Sequence, residues 1–311
     1  MGVPAGGVHG VSPGKAARNF FKLIQGWGAA YRLGRRERPA ALFATGGYAS
    51  LPVALAAWAL RVPILVYLPD IEPGLAVRLI SRLASRVAVT VEDSVAYFPA
   101  RKVAVTGYPV RAEFHGIERA EARDALGLAL DEPVLLVMGG SRGARSINKA
   151  LSGVLEQILE LTQVVHVSGE LDWSWVVERR EKLPGTLQAR YQTLPYLHQI
   201  ELGLAAADLA VCRAGAMTLG ELPFFGLPAV LVPYPYAWRY QRVNAEWLAG
   251  RGATLVLDDE RLAEELLPTV RDLLSDRERL AQMGERARAL ARPDAAARLA
   301  AELQALATRR A

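Results

Sequence analysis

The sequence has little of the chemistry that disulfide or zinc scaffolds require. Cys212 is its single cysteine among 311 residues, and no Cys-x-x-Cys pair or Cys/His cluster occurs. A lone cysteine cannot close an intramolecular disulfide, and a structural zinc site needs about four closely placed ligands. We therefore expect a reducing, cytosolic environment and no metal.

Long uninterrupted apolar runs are also missing. The segment 39–60 has no charged side chain, but Gly46, Gly47 and Pro52 interrupt it. Such breaks favour a buried strand over 40–44 and a helix over 51–60 rather than a span of the bilayer. The first residues lack the charged-then-apolar pattern of a secretory leader. We expect a soluble or peripheral protein.

Negative charge is in deficit. The 37 Lys and Arg outnumber the 32 Asp and Glu, which leaves a net charge of +5 at pH 7. This excess suits phosphate-bearing ligands or an anionic membrane surface better than an acidic protein partner. The basic residues are not interleaved with the aromatic platforms that single-stranded nucleic acids need, so we expect no nucleic-acid partner.

The segment 207–244 organises what the sequence does contain. It predicts a strand over 209–212, a small-residue loop from Arg213 to Met217, a helix opening at Thr218 and a strand over 229–232. This is the strand–helix–strand pattern of a parallel sheet. Ligands of such sheets bind beyond the carboxyl ends of the strands, so this loop is a candidate binding site.

Thr218 and Glu221 have two interpretations. A Thr-x-x-Glu pair at the start of a helix is typical of a capping box, in which the side chain of each residue accepts a hydrogen bond from the backbone N–H group of the other residue. Alternatively, the Glu221 carboxylate accepts hydrogen bonds from sugar hydroxyls, while amides of 216–220 bind phosphate. The local pattern does not separate the two.

A second glycine loop follows the predicted strand 134–138. Gly139-Gly-Ser-Arg-Gly-Ala144 lies between this strand and a helix predicted over 146–161. Glycines permit close approach of a diphosphate, and a helix N-terminus supplies N–H groups. The spacing does not match the dinucleotide fingerprint, and Glu170 is too distant to be its acidic residue, which argues against an oxidoreductase.

An amphipathic helix is predicted over 16–36. Phe20, Phe21, Ile24 and Trp27 fall at helical spacing on one face, with Lys and Arg around it. The helix either packs on a sheet in the ordinary way or lies in a membrane interface, and the two can coexist.

The order of these elements predicts an α/β fold with two Rossmann-like, doubly wound domains that face a cleft. We expect an N-terminal domain over 1–125 and a C-terminal, nucleotide-binding domain over 126–311. The tail helix after Pro293 is expected to pack back on the first domain.

Five segments in order resemble the MurG family, the peptidoglycan glycosyltransferases that add N-acetylglucosamine to a lipid-linked muramyl peptide. They are ATGGYASLPVALAAW (44–58), the PGL of LPDIEPGLAVR (68–78), VTGYPVR (105–111), MGGSRGARSIN (138–148) and the segment 207–244. The resemblance implies a GT-B fold, no cofactor, and inverting transfer from UDP-N-acetylglucosamine to undecaprenyl-pyrophosphoryl-muramyl-pentapeptide. It also implies a peripheral position on the cytoplasmic face of the bacterial cell membrane, and roles in cell shape and division.

The resemblance assigns residues to sites. The expected UDP-sugar site comprises Asp70, Arg111, Ser141, Leu197, Ala216, Met217, Thr218, Leu219, Gly220, Glu221 and Gln241. The acceptor-side loop would be Gly46, Gly47 and Tyr48, and the membrane patch Phe20, Phe21, Ile24 and Trp27. No metal is implied.

The sequence also departs from the family pattern. The opening strand and its glycine loop with a His are not found, and neither His9, His115, His166 nor His198 matches that His. Asp70 stands where many members have Asn, and Tyr240 where they have His. We therefore expect an N-terminally shortened chain whose general base is unknown and which binds UDP-sugar but turns over poorly. A related diacylglycerol glycosyltransferase is the other alternative.

Overall fold

The structure, a computed structural model, describes residues 13–140, 143–237 and 239–308, with side chains from Phe21 onward. The chain divides into two compact units, one of residues up to Pro109 together with Asp294–Ala311, the other Val110–Pro293. The division falls earlier than the expected boundary at 125. Residues 110–125 belong to the second unit because Phe114 packs on Phe224 and Phe225, and the buried Arg123 is bound to Asp208.

The first unit contains a four-stranded parallel sheet in the order β1-β2-β3-β4. Its strands are β1 (Leu42–Ala44), β2 (Ile64–Leu68), β3 (Arg86–Val89) and β4 (Val103–Val105), and its helices are α1 (Pro13–Glu37), α2 (Ser50–Ala59), α3 (Leu75–Leu83) and α14 (Ala295–Thr308). The segment 39–60 is thus a strand and a helix, as its Gly and Pro residues predicted.

Both faces of this sheet are covered, which explains why β2 is apolar throughout rather than alternating. Ile64, Val66 and Leu68 pack with α2 and α3 on one face. Leu65 and Tyr67 pack with Leu299 and Leu306 of α14 on the other. The tail helix therefore completes the core of the first unit.

The second unit contains a six-stranded parallel sheet in the order β10-β9-β8-β5-β6-β7. Its strands are β5 (Val134–Met138), β6 (Gln163–Val167), β7 (Tyr191–Leu194), β8 (Leu209–Cys212), β9 (Ala229–Leu231) and β10 (Thr254–Val256). Its helices are α4 (Arg119–Ala125), α5 (Arg145–Gly153), α6 (Leu155–Leu161), α7 (Trp173–Glu181), α8 (Gly185–Gln188), α9 (Ile200–Ala206), α10 (Glu221–Phe225), α11 (Tyr240–Gly250), α12 (Leu262–Ser275) and α13 (Arg277–Ala289).

Three elements differ from the sequence-based expectation. The helix expected over 146–161 is two helices, α5 and α6, which separate at Val154 after Gly153. The edge strands β7 and β10 were not predicted, because β7 is partly polar and β10 has only three residues. Apolar periodicity is a weak signal for short strands at a sheet edge.

Candidate nucleotide-sugar site

The strand order of the second unit reverses between β5 and β8. The chain runs from β5 outward to β6 and β7, then returns to β8 on the other side of β5. This leaves a crevice beyond the carboxyl ends of the two strands, the usual ligand position in open α/β sheets. Gly139 and Gly140 follow β5 there, and Arg213 follows β8.

A cavity of about 880 Å³ occupies this crevice. Its lining includes Gly143, Arg145, Ser146, Arg213, Thr218 and Gln241. Gly140 and Gly143 have φ values of 85° and 74°, a region that glycine adopts without strain. The loop bends back so tightly that a Cβ on Gly139 would lie 2.1 Å from the amide nitrogen of Ala144, the residue that precedes α5.

A second cavity, of about 150 Å³, shares Met138, Gly140 and Met217 with the first. Its remaining lining is mainly apolar, apart from one cation and one carboxyl group: Arg111, Val167, Tyr196, Leu197, Ile200 and Glu221. An apolar slot beside a polar, glycine-lined space is the arrangement expected for a flat base next to phosphate groups.

Glu221 is a buried carboxyl group that the protein leaves partly unsatisfied. Its side chain begins α10 and is 8% exposed, and its Oε2 atom has no hydrogen-bond partner within the described part of the chain. Burial raises its pKa to about 7, against an opposing effect of the Arg111 charge. A buried oxygen without a partner costs free energy unless a ligand hydroxyl donates to it.

The capping-box interpretation of Thr218 and Glu221 is wrong. Residues Ala216–Leu219 form a 3₁₀ turn, and α10 starts only at Glu221. The N-cap position of α10 is therefore Gly220, which has no side chain, and not Thr218. The Thr218 hydroxyl donates to the carbonyl of Gly215 at 2.7 Å instead.

The same turn limits which amides can bind phosphate. The Thr218 amide donates to the carbonyl of Gly215 at 3.0 Å, and the Gly220 amide to that of Met217 at 3.1 Å. These two N–H groups are therefore used within the turn, which leaves the other amides of 216–220 as the candidates for binding phosphate.

An ion-pair network that sequence reasoning missed supports the larger cavity. Arg213 pairs with Asp259 through Nη1, and its Nη2 donates to the Ser146 hydroxyl at 2.7 Å. The guanidinium also lies over the ring of Tyr234, 5.1 Å from its centre. Asp259 is far along the chain in the loop after β10, so no local motif connects it with Arg213.

Gln241 lies in the first turn of α11 and holds the loop after β9. Its Oε1 atom accepts a hydrogen bond of 2.9 Å from the amide of Tyr234. Gln241 and Tyr234 both line the larger cavity.

The remaining predicted residues lie elsewhere. Ser141 falls outside the described residues, and Asp70 belongs to the first unit, after β2. Gly46 and Gly47 form a turn with φ values of 90° and 79°, and Tyr48 beside them is exposed. On α1, Phe21, Ile24 and Trp27 are 61%, 50% and 40% exposed, whereas the Phe20 side chain is not among those described.

Two further findings concern metals and membranes. Across residues 13–140, 143–237 and 239–308, no three His, Cys, Asp or Glu side chains are grouped to hold a metal ion. Within the same residues, every helix is too short or too polar to cross a bilayer.

The sheet order and the glycine loop define the second unit as a Rossmann-like α/β domain, with a candidate ligand site beyond the carboxyl ends of β5 and β8. Residues 2–89 match the family described as glycosyltransferase family 28 N-terminal domain, and residues 134–299 match the glycosyltransferase family 28 C-terminal domain.

The similar proteins agree. A UDP-N-acetylglucosamine–N-acetylmuramyl-(pentapeptide) pyrophosphoryl-undecaprenol N-acetylglucosamine transferase of Roseiflexus sp. is 44% identical over 99% of this chain and 79% of its own length. The protein with the same description from Desulforudis audaxviator is 40% identical over 94% of this chain and 80% of its own length. The crystal structure of Acinetobacter baumannii MurG covers 91% of this chain and 78% of its own, with 28% identity and a TM-score of 0.72.

The chain belongs to the MurG family, within glycosyltransferase family 28. The predicted fold class of two parallel α/β domains is thereby confirmed. A Neisseria meningitidis UDP-GlcNAc 2-epimerase bound to UDP-GlcNAc shares the fold at 13% identity, with a TM-score of 0.67 over 94% of this chain and 83% of its own.

Proposed function

We propose that this chain transfers N-acetylglucosamine from UDP-N-acetylglucosamine to a lipid-linked muramyl pentapeptide, with inversion, in peptidoglycan synthesis. This is the reaction for which its relatives from Roseiflexus and Desulforudis are named. The observation that carries the proposal is the Glu221 Oε2 atom, which has no hydrogen-bond partner among the described residues and belongs to a residue in the wall of the apolar slot beside the glycine-lined cavity.

In this proposal, the base, ribose and diphosphate of the nucleotide sugar are divided between the two cavities. The base enters the slot, where the backbone of Leu197 reads its edge, and the ribose hydroxyls donate to Glu221. Arg111 supplies a positive charge beside that carboxylate. The diphosphate lies against the glycine loop and the start of α5, near Gln241. Those amides of the 216–219 turn that are not already bonded within the turn donate to it.

The reaction requires stabilisation of the departing diphosphate and loss of the acceptor's proton. As the acceptor oxygen bonds to the anomeric carbon, the bond to the diphosphate breaks and negative charge accumulates on the leaving group. Backbone amides and Arg side chains of the second unit supply that stabilisation. Ser141 and Asp70 are further candidates for contact with the nucleotide sugar, and the general base is unassigned.

The acceptor side involves the first unit. The Gly46-Gly47-Tyr48 turn would receive the acceptor's pyrophosphate, and the exposed Phe21, Ile24 and Trp27 would enter the interface of an anionic membrane. The protein would then work as a peripheral protein on the cytoplasmic face of the membrane, where its lipid-linked acceptor is anchored.

The activity is tested with radiolabelled UDP-N-acetylglucosamine and two acceptors in parallel, a lipid-linked muramyl pentapeptide and diacylglycerol. We expect label only in the muramyl product. Glu221→Ala should raise the KM for the nucleotide sugar about tenfold or more, because it removes hydrogen bonds to a charged group. Glu156→Gln is the matched control, since Glu156 already pairs with Arg179. Labelled diacylglycerol, or UDP affinity without any transfer, would contradict the proposal.

Membrane binding is tested separately by flotation with vesicles that contain anionic lipid. The double variant Phe21→Ser/Trp27→Ser should bind the vesicles at least about tenfold more weakly than wild type, since two large apolar side chains no longer leave water on binding. Leu130→Ser, which alters an exposed leucine of the second unit, is the control. Equal binding by both variants would remove α1 from the proposed membrane contact.

A further inference from the structure

A chain of hydrogen bonds runs through the interior of the second unit and ends at the larger cavity. The Tyr191 hydroxyl lies 2.6 Å from Nδ1 of His166, and Nε2 of His166 lies 2.9 Å from Oδ1 of Asn148. Asn148 Nδ2 donates to an Asp172 carboxylate oxygen at 2.9 Å, and Arg145 Nε donates to the other at 2.8 Å. Tyr191, His166, Asn148 and Asp172 are all buried.

The direction of every bond in this chain is determined. Asn148 Nδ2 faces two groups that can only accept, the Asp172 carboxylate and the Ser168 carbonyl at 2.8 Å. Its Oδ1 therefore accepts from Nε2–H of His166, and Nδ1 of His166 accepts from the Tyr191 hydroxyl. Burial lowers the pKa of His166 to about 3, which keeps this single neutral tautomer through the physiological range.

Asn148 donates hydrogen bonds to two groups that contact the glycine loop or the start of α5, the Ser168 carbonyl and the Asp172 carboxylate. The Ser168 carbonyl lies so close to Gly143 that a Cβ on Gly143 would be 2.2 Å from its oxygen. The Asp172 carboxylate fixes the guanidinium of Arg145, the first residue of α5. Gly143 and Arg145 both line the larger cavity, whereas Asn148 and His166 do not.

We propose that Asn148 and His166 are positioning residues for the diphosphate part of the nucleotide-sugar site. They do not touch the ligand. They hold the Ser168 carbonyl and the Asp172 carboxylate, against which Gly143 and Arg145 are placed. This inference rests on the proposed function, in which the larger cavity receives a diphosphate. If these positions served only to fill the core, apolar residues would be sufficient. Core filling alone does not explain a directed chain of buried hydrogen bonds that ends at the cavity wall.

The test compares the affinities of UDP and uridine, measured by calorimetry on the full chain. Uridine has the base and ribose but no phosphate, so the ratio of the two affinities reports on the diphosphate alone. Asn148→Ala and His166→Phe should lower UDP affinity about tenfold, because small displacements of a binding loop are costly. Uridine affinity should stay within about twofold of wild type, a change of less than 0.5 kcal/mol.

Two milder variants keep the test decisive if a buried substitution unfolds the chain. His166→Gln retains a donor toward Asn148 and should restore most of the UDP affinity. Tyr191→Phe removes only the outermost hydroxyl and should lower the ratio slightly. Gln163→Leu is the control, because Gln163 lies at the other end of β6 and its side chain bonds to the backbone of Ala129.

An unchanged ratio in Asn148→Ala, His166→Phe and Tyr191→Phe overturns the inference and leaves the nucleotide-sugar site standing. An equal fall in Gln163→Leu also overturns it, since the effect would then follow stability and not position. If wild type binds UDP no more tightly than uridine, the proposed diphosphate site itself fails, and the inference fails with it.

Discussion

Each unit of the molecule has a glycine loop directly after a parallel strand, and the two loops are supported differently. Gly46 and Gly47 follow β1, and the Ser50 hydroxyl donates back to the carbonyl of Gly46. A Cβ on Gly47 would meet no described atom within 4 Å, whereas a Cβ on Gly46 would lie 2.7 Å from the Val77 side chain of α3. In the second unit, Gly143 lies in backbone contact with Ser168, over the buried hydrogen bonds of Asn148.

This difference teaches what each loop can do. Close contact with Ser168 over a buried polar network restrains Gly143, which reduces the entropy lost when a compact charged group binds beside it. The loop of the first unit is held by its own turn and by apolar contact with the Val77 side chain. An apolar contact adjusts to a larger or more variable ligand more readily than a directed hydrogen bond does. The contrast fits a nucleotide sugar in the second unit and a lipid-linked acceptor at the first.

The largest expected effect comes from breaking the contact between Gly143 and Ser168. Gly143→Ala places a Cβ against the Ser168 carbonyl at a positive φ, so the loop must move. We expect UDP affinity to fall about a hundredfold and the free energy of unfolding to fall by about 2 kcal/mol. Calorimetry and denaturant unfolding measure the two quantities.

Gly140→Ala is the control for this change. Gly140 also has a positive φ, but a Cβ there meets no described atom within 4 Å, so it adds strain without a clash. UDP affinity of Gly143→Ala no lower than that of Gly140→Ala would mean that contact with Ser168 does not set the loop.

The pH dependence of uridine binding isolates the carboxylate of the second unit. With a pKa raised to about 7, Glu221 loses its charge as the pH falls below 7 and then accepts ribose hydroxyls poorly. Uridine affinity of wild type should fall by nearly tenfold per pH unit below 7, whereas that of Glu221→Gln stays flat. Parallel curves for the two proteins would place the ribose elsewhere.

The stability of the free chain should change in the opposite sense. A raised pKa means that the Glu221 carboxyl group binds its proton more tightly in the folded state than in the unfolded state. The stability of wild type relative to Glu221→Gln should therefore decrease as the pH rises from 4.5 to about 7 and remain constant above it. Thermal unfolding over this pH range measures the difference.

A smaller effect is expected at Gly47 in the loop of the first unit. Gly47→Ala imposes a side chain on a φ of 79° without a steric clash, which costs about 1–2 kcal/mol. Transfer to the acceptor should decrease while UDP affinity remains unchanged. A matching loss of UDP affinity would show that the two loops do not serve separate substrates.

The smallest effect concerns how the tail helix is attached to the first unit. Arg86 makes two hydrogen bonds of 2.9 and 3.1 Å to Glu302, and both side chains are partly exposed. A double-mutant cycle with alanine should give a coupling of about 1 kcal/mol or less, reduced by salt. Apolar contacts of Leu299 and Leu306, rather than this pair, should hold α14 in place.

Much of the fold was accessible from the sequence because its signals are local. The strands 134–138 and 209–212 are short apolar runs bounded by Gly or polar residues, and the structure has both with the predicted bounds. The glycine loop after β5 was predicted for the same reason. The edge strands β7 and β10 have fewer buried residues and no continuous apolar run of this length, so their sequences carried no comparable signal.

The site divides in the same way. Its location after β5 and β8 followed from strand–loop–helix order, and Glu221 was selected from a motif with two interpretations. The pairing of Arg213 with Asp259, and of His166 with Asn148 and Tyr191, joins residues from different elements. No spacing along the chain predicts such pairs.

The sequence by itself determined the family, the two parallel sheets and the loops that follow their strands, because apolar runs and glycines act through their immediate neighbours. Only the tertiary structure decided that Thr218 turns to Gly215 and not to Glu221, and that one oxygen of Glu221 is buried without a hydrogen-bond partner among the described residues. It also decided that His166 lies neutral behind the glycine loop. Burial and hydrogen-bond pairing depend on which distant segments are packed together, and that information exists only once the chain has folded.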